Sequence, residues 1–119
     1  MLLGLDHIQL AIPEGGEDLA RAFYIGALGF AEVPKPDVLK DRGGAWFSAP
    51  GITLHLGVET PFHPARKAHP AFRVSDLGAL RASFATRGIQ TVDDVVLPGI
   101  IRTFVYDPFG NRIELIEVL

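Results

Sequence analysis

The run Ile113-Glu114-Leu115 sets a carboxylate inside an apolar stretch. Burying a charge there costs several kcal/mol unless something positive or hydrogen-bonding meets it. Three histidines sit in similar surroundings: His7 in LDHIQLAI, His55 in ITLHLGV and His69 in HPAFRV. If these stretches are strands, alternation groups the residues. His7 shares a face with Leu5, Gln9 and Ala11; His55 with Thr53 and Gly57; His69 with Ala71 and Arg73; Glu114 with Ile116 and Val118. One sheet face can then gather His7, His55, His69 and Glu114. Three imidazoles and a carboxylate suit a divalent cation of borderline hardness: zinc, nickel, cobalt, iron(II) or manganese. Such a cation would supply the charge that Glu114 needs and could polarise a substrate oxygen. The plainer alternative is three hydrogen-bonded core histidines and a glutamate at an exposed edge. His63 reads as a solvated loop residue, and Glu59 and Glu117 as exposed strand ends.

The elements that must position these residues come in a repeated order. Residues 5 to 12 read as a strand. A turn marked by Pro13 and Gly15-Gly16 leads into a helix with a stripe of Leu19, Ala22, Phe23 and Ala27, ended by Gly26 or Gly29. Residues 30 to 34 form a short strand, and two more strands flank Pro50-Gly51. After the proline-rich linker TPFHPARKAHP, the strand HPAFRV precedes a helix capped by Ser75 or Asp76 and stopped by Gly88. TVDDVVLP reads as a strand with a turn, and two strands surround the turn 108–111. Strand, helix and three strands therefore occur twice, with His7 matched to His69 and His55 to Glu114. The fold expected is α+β: a single domain over 1–119, built of two tandem βαβββ modules at about 1–60 and 66–119, each with a mixed sheet.

Composition bounds the partners. The chain has 119 residues, 48% of them hydrophobic, and a net charge of −3. No basic stripe stands out, so nucleic acid is not expected. No apolar run nears the roughly 20 residues of a membrane-spanning helix, and the opening residues lack a basic leader, so the expected setting is the cytoplasm. With no cysteine in the sequence, disulfides, thiolate metal sites and cysteine nucleophiles are excluded.

The stretches LDHIQLAIP, ARAFYIGALGF, HPAFRV and above all DPFGNRIELIE resemble the vicinal oxygen chelate superfamily, the glyoxalase, bleomycin-resistance and dioxygenase proteins. The resemblance covers essentially the whole chain. It implies a curled two-module cup holding one divalent metal ion through His7, His55, His69 and Glu114. A histidine at position 55 departs from the carboxylate of the glyoxalase I pattern, which argues against that activity itself. The chemistry implied is of isomerase, lyase or thiol-transferase type, through a metal-stabilised enolate-like intermediate, with Glu114 or His55 moving the proton. Arg73, Arg102, Trp46 and Phe104 would line the cup for a small, oxygen-rich, anionic substrate; the alternative for the arginines is pairing with surface carboxylates. Arg66 and Lys67 could rim it. A metal-free protein binding a drug or metabolite is the main alternative, and a partner-binding domain a weaker one. Open sheet edges point to a homodimer.

Overall fold

Alternating apolar side chains in Ile8-Gln9-Leu10-Ala11-Ile12 give a strand with one covered face. The computed structural model describes all residues, 1–119, and forms β1 over Ile8–Ile12 with Leu10 and Ile12 buried. The strand begins at Ile8 rather than Leu5, and Leu5 is exposed, so His7 stands immediately before the strand. The helix α1, Glu17–Arg21, runs directly into a π-helical segment, Ala22–Ala27. The wider π turn rotates the buried stripe relative to an ideal helix. Ala20, Phe23, Tyr24 and Ala27 are buried, while Leu19 and Ala22, both expected inside, are exposed. Tyr24 is fully buried and stacks on Phe47, with ring centroids 5.8 Å apart.

Three strands complete the first module: β2 (Ala31–Val33), β3 (Ala45–Ala49) and β4 (Ile52–Val58). A 3-10 turn, Asp37–Arg42, fills a stretch with no expected element. Gly51 takes φ +74° in the turn between β3 and β4, a conformation open to glycine. The strand order is β1-β4-β3-β2, with β1 parallel to β4 and the other pairs antiparallel. Ile12, Tyr24, Phe47, Leu54 and Leu56 make the core, each burial stabilising by about 1.5–3 kcal/mol.

The second module repeats the plan with β5 (Ala71–Arg73), α2 (Leu77–Thr86), β6 (Thr91–Val92), β7 (Ile100–Tyr106) and β8 (Arg112–Val118). Its order, β5-β8-β7-β6, is that of the first sheet, again with the first strand parallel to the last. Asp76, not Ser75, caps α2 by accepting the Ala79 N–H at 2.8 Å. Glu117, expected to be exposed, accepts the Leu77 N–H at 3.0 Å and is half-buried. The strand expected across TVDDVVLP shrinks to Thr91–Val92, and Val95 and Val96 beyond it are exposed.

The turn in DPFGN is built by two side chains. Asp107 Oδ1 accepts the N–H groups of Phe109 and Asn111, both at 2.9 Å. Asn111 donates to Asp107 Oδ2 and accepts from the Ala65 N–H, each at 2.9 Å. Phe72, Leu77, Phe84, Val105, Ile113 and Leu115 form the core of this module. The chain divides into compact units Met1–Pro64 and Ala65–Leu119, each with an open four-stranded mixed sheet. No helix is long and apolar enough to cross a membrane.

Candidate functional site

Strand register, not proximity in sequence, positions the polar residues. In module one His55 on β4 lies between Gln9 on β1 and Trp46 on β3. In module two Glu114 on β8 lies between Ala71 on β5 and Phe104 on β7. Gln9 and Ala71 each follow a candidate histidine by one alternation step, so His7 and His69 hold equivalent places. The register inferred from the sequence is thus present in the hydrogen-bonded ladders. Both central strands are buried on both faces around these residues: Leu54, His55 and Leu56 in one, Ile113, Glu114 and Leu115 in the other.

Module one brings His7 and His55 together as stacked rings, with centroids 4.1 Å apart and planes at 25°. Trp46 covers the other face of His55 at 3.7 Å and 4°. Burial, and then the neighbouring His7, lowers the pKa of His55 below the ordinary histidine value. His55 is therefore held as neutral imidazole, the form that offers a lone pair. His7 Nδ1 contacts Asp6 Oδ2 at 2.8 Å. A carboxylate there takes the Nδ1 hydrogen and leaves Nε2 as the free donor atom.

Module two pairs His69 with Glu114. His69 Nδ1 lies 2.8 Å from the Lys67 carbonyl oxygen, which can only accept, so Nδ1 carries a hydrogen. Nε2 lies 3.0 Å from Glu114 Oε1. The other carboxylate oxygen, Oε2, accepts from Arg102 Nη1 at 3.2 Å. Arg102 therefore meets the buried charge of Glu114 in this structure, a role the sequence assigned to a metal. Arg102 also donates to the Val95 carbonyl, through Nη2 at 2.9 Å.

The remaining expected wall residues are spread unevenly. Phe104 is buried beneath the Arg112 guanidinium, 3.7 Å from the ring centroid, and its edge meets His69 at 5.3 Å. Arg73 is exposed and joins none of these contacts. His63 and Glu59 are exposed, as expected, with Glu59 accepting the His63 N–H at 3.0 Å. Asp6 and Arg112 were not anticipated. Alternation back from Glu114 puts Arg112 on the same face, opposite Tyr106, and could have found it. No group of three or more His, Asp or Glu side chains gathers at metal-binding range; the contacts seen are between His7 and His55 within module one and between His69 and Glu114 within module two.

Two βαβββ modules of identical strand order, each carrying one polar pair at an equivalent register, define a duplicated α+β protein. The chain belongs to the Glyoxalase/Bleomycin resistance protein/Dioxygenase superfamily, whose sequence model matches residues 4–115. A crystal structure of a glyoxalase family protein from Bacillus anthracis is 46% identical, covers 100% of this chain and 98% of its own, and has a TM-score of 0.96. The fosfomycin resistance protein FosX from Listeria monocytogenes shares the fold at 16% identity, with a TM-score of 0.80 over 100% of this chain and 96% of that one. The antibiotic binding protein TnmS3 from Streptomyces sp. CB03234 shares it at 22% identity, with a TM-score of 0.71 over 99% and 100%. No curated protein matched the sequence.

Proposed function

We propose that the chain is a metal-dependent enzyme of isomerase, lyase or thiol-transferase type, acting on a small, oxygen-rich, anionic molecule. The two pairs would together hold one divalent cation, zinc, nickel, cobalt, iron(II) or manganese, through His7, His55, His69 and Glu114. The donor chemistry fits. His7 and His69 have Nδ1 committed to Asp6 and Lys67, which leaves Nε2 as the coordinating atom, and His55 is neutral. The observation that carries the reading is the His69–Glu114 contact. With Nδ1 committed to the Lys67 carbonyl, Nε2 of His69 comes within 3.0 Å of Glu114 Oε1, so two potential ligand atoms face each other.

A divalent cation bound there would polarise a substrate oxygen as a Lewis acid. Arg102 holds one oxygen of Glu114 while its other oxygen faces His69. Glu114, once swung off the cation, would accept a substrate proton; His55, pressed against Trp46, is the alternative, and it too would have to leave the cation to free its lone pair. These two side chains are the proposed catalytic pair. Cytoplasmic residence and a homodimer through the open sheet edges belong to the same proposal.

A second reading is a metal-free protein that binds a drug or metabolite. Its support is the Arg102–Glu114 contact, which satisfies the carboxylate without a metal, together with the fold shared with an antibiotic binding protein. Elemental analysis of purified protein separates the two. One equivalent of a transition metal, lost in His69→Ala, is the expected result; metal-free protein that also fails to take up zinc, nickel, cobalt or manganese on titration would overturn the enzymatic reading.

A further inference from the structure

The sheet face of module two that carries Glu114 is unusually cationic. Arg102, Arg112 and Arg73 share it by alternation, flanking Phe104. The Arg112 guanidinium lies over the Phe104 ring at 3.7 Å, and that of Arg102 lies 5.5 Å from the same ring. Their counter-ions are incomplete. Glu114 takes one nitrogen of Arg102. Asp94 Oδ2 stands 3.9 Å from Arg102 Nη2 and 4.0 Å from Arg112 Nη2, too far to hydrogen-bond either. Arg112 Nε is buried with no hydrogen-bond partner, an unfavourable state for a charged donor. One carboxylate held loosely between two guanidiniums, beside an unsatisfied donor, describes an anion site filled by a substitute. Asp94 suits that part. Its side chain is 47% exposed, and it sits in the irregular segment after β6, next to the exposed Val95 and Val96.

We propose that Arg112, close over the Phe104 ring, and Arg102 beside it form an oxyanion subsite for a carboxylate, phosphate or phosphonate group of the small molecule, which takes the place of Asp94. Arg112, set against the ring, has its Nε–H unpaired and can offer it with a neighbouring N–H to such an oxyanion, while Arg102, whose Nε and Nη2 donate to the Val95 carbonyl and whose Nη1 donates to Glu114, adds positive charge beside it. The equivalent face of module one carries Thr53 in the place of Arg112, so the subsite belongs to module two alone. The proposal rests on the small-molecule reading above but not on the metal.

The test uses metal-stripped full-length protein, with methylphosphonate, inorganic phosphate and acetate titrated calorimetrically. Wild type is expected to bind at least one of them saturably. Arg112→Gln should weaken that binding at least tenfold, whereas Arg87→Gln, which removes an exposed charge on the same module, should not. Asp94→Asn should tighten it several-fold by removing the competitor, an effect that loss of packing would not produce. Preference for methylphosphonate and phosphate over acetate would assign a tetrahedral group, and the reverse a carboxylate. No binding to wild type, or Arg112→Gln and Asp94→Asn both binding as wild type does, would overturn the subsite. Zinc titration of the same variants keeps the two proposals apart, because Arg112→Gln is expected to keep cation binding.

Discussion

The two modules share a backbone plan and differ in the chemistry of one sheet face. Around His55, module one places Trp46, Gln9, Thr53 and Gly57: aromatic, polar or small, and uncharged. Around Glu114, module two places Phe104, Arg102, Arg112 and Ile116. An aromatic plate stands across from the central polar residue in both, so that feature belongs to the frame. The partner of the polar residue changes with its charge. His55 is met by stacked rings, and the Glu114 carboxyl by a guanidinium and an imidazole. A duplicated sheet can therefore keep its hydrogen-bonded register while the side chains on one face change in charge and partner.

The largest expected effect sharpens the shared frame. Leu56 and Leu115 hold equivalent places beside His55 and Glu114, at 2% and 1% exposure. Each change to alanine should cost about 2–5 kcal/mol in urea unfolding. A loss below about 1 kcal/mol at only one of them would break the equivalence of the frames. Next comes the charged pair of module two. The Arg102 and Glu114 side chains are 13% and 11% exposed, and Arg102→Met should cost about 3 kcal/mol by leaving the carboxylate under-paired. The double variant Arg102→Met/Glu114→Leu should recover much of that loss. Smaller again is Trp46→Leu, expected to cost about 1 kcal/mol from the lost stack and to return the His55 pKa toward its ordinary value, read by NMR titration.

The smallest effects distinguish the modules by pH. Burial lowers the pKa of His55 below 6.5, so the unfolded chain takes up a proton at higher pH than the folded one. Stability should be full above 6.5 and decline as the pH falls below it, a slope that His55→Gln removes. In module two the Thr103 hydroxyl first and Arg81 second lower Asp93 below 3.8. Its stabilisation should persist above 3.8 and disappear as the pH falls through the lower folded value, a change that Asp93→Asn abolishes. Urea midpoints against pH separate the two windows.

Much of the frame was readable because alternation is a strong signal where one face is covered. β4 spans Ile52–Val58, as its pattern implies, and the match of His55 with Glu114 reappears in the strand register. Burial of Tyr24 was not readable, because the π-helical segment breaks the helical period that a stripe assumes. The apolar Val95-Val96 pair imitated a strand, yet it stays exposed outside the ladder. At the site, residue types pointed to the histidines and Glu114. Their partners depend on which side chain reaches across the sheet. Arg102 therefore read as a wall residue, although it neutralises Glu114. Asp6 and the Lys67 carbonyl, which fix the imidazole tautomers, carry no pattern of their own.

The central proposal is that His7, His55, His69 and Glu114 are the ligands of one cation. Calorimetric titration of zinc into wild type, His7→Ala/His55→Ala and His69→Ala/Glu114→Ala tests it most directly. The account predicts one cation per chain in wild type and at least a hundredfold weaker binding in each double variant. Wild-type affinity retained by either double variant would contradict it.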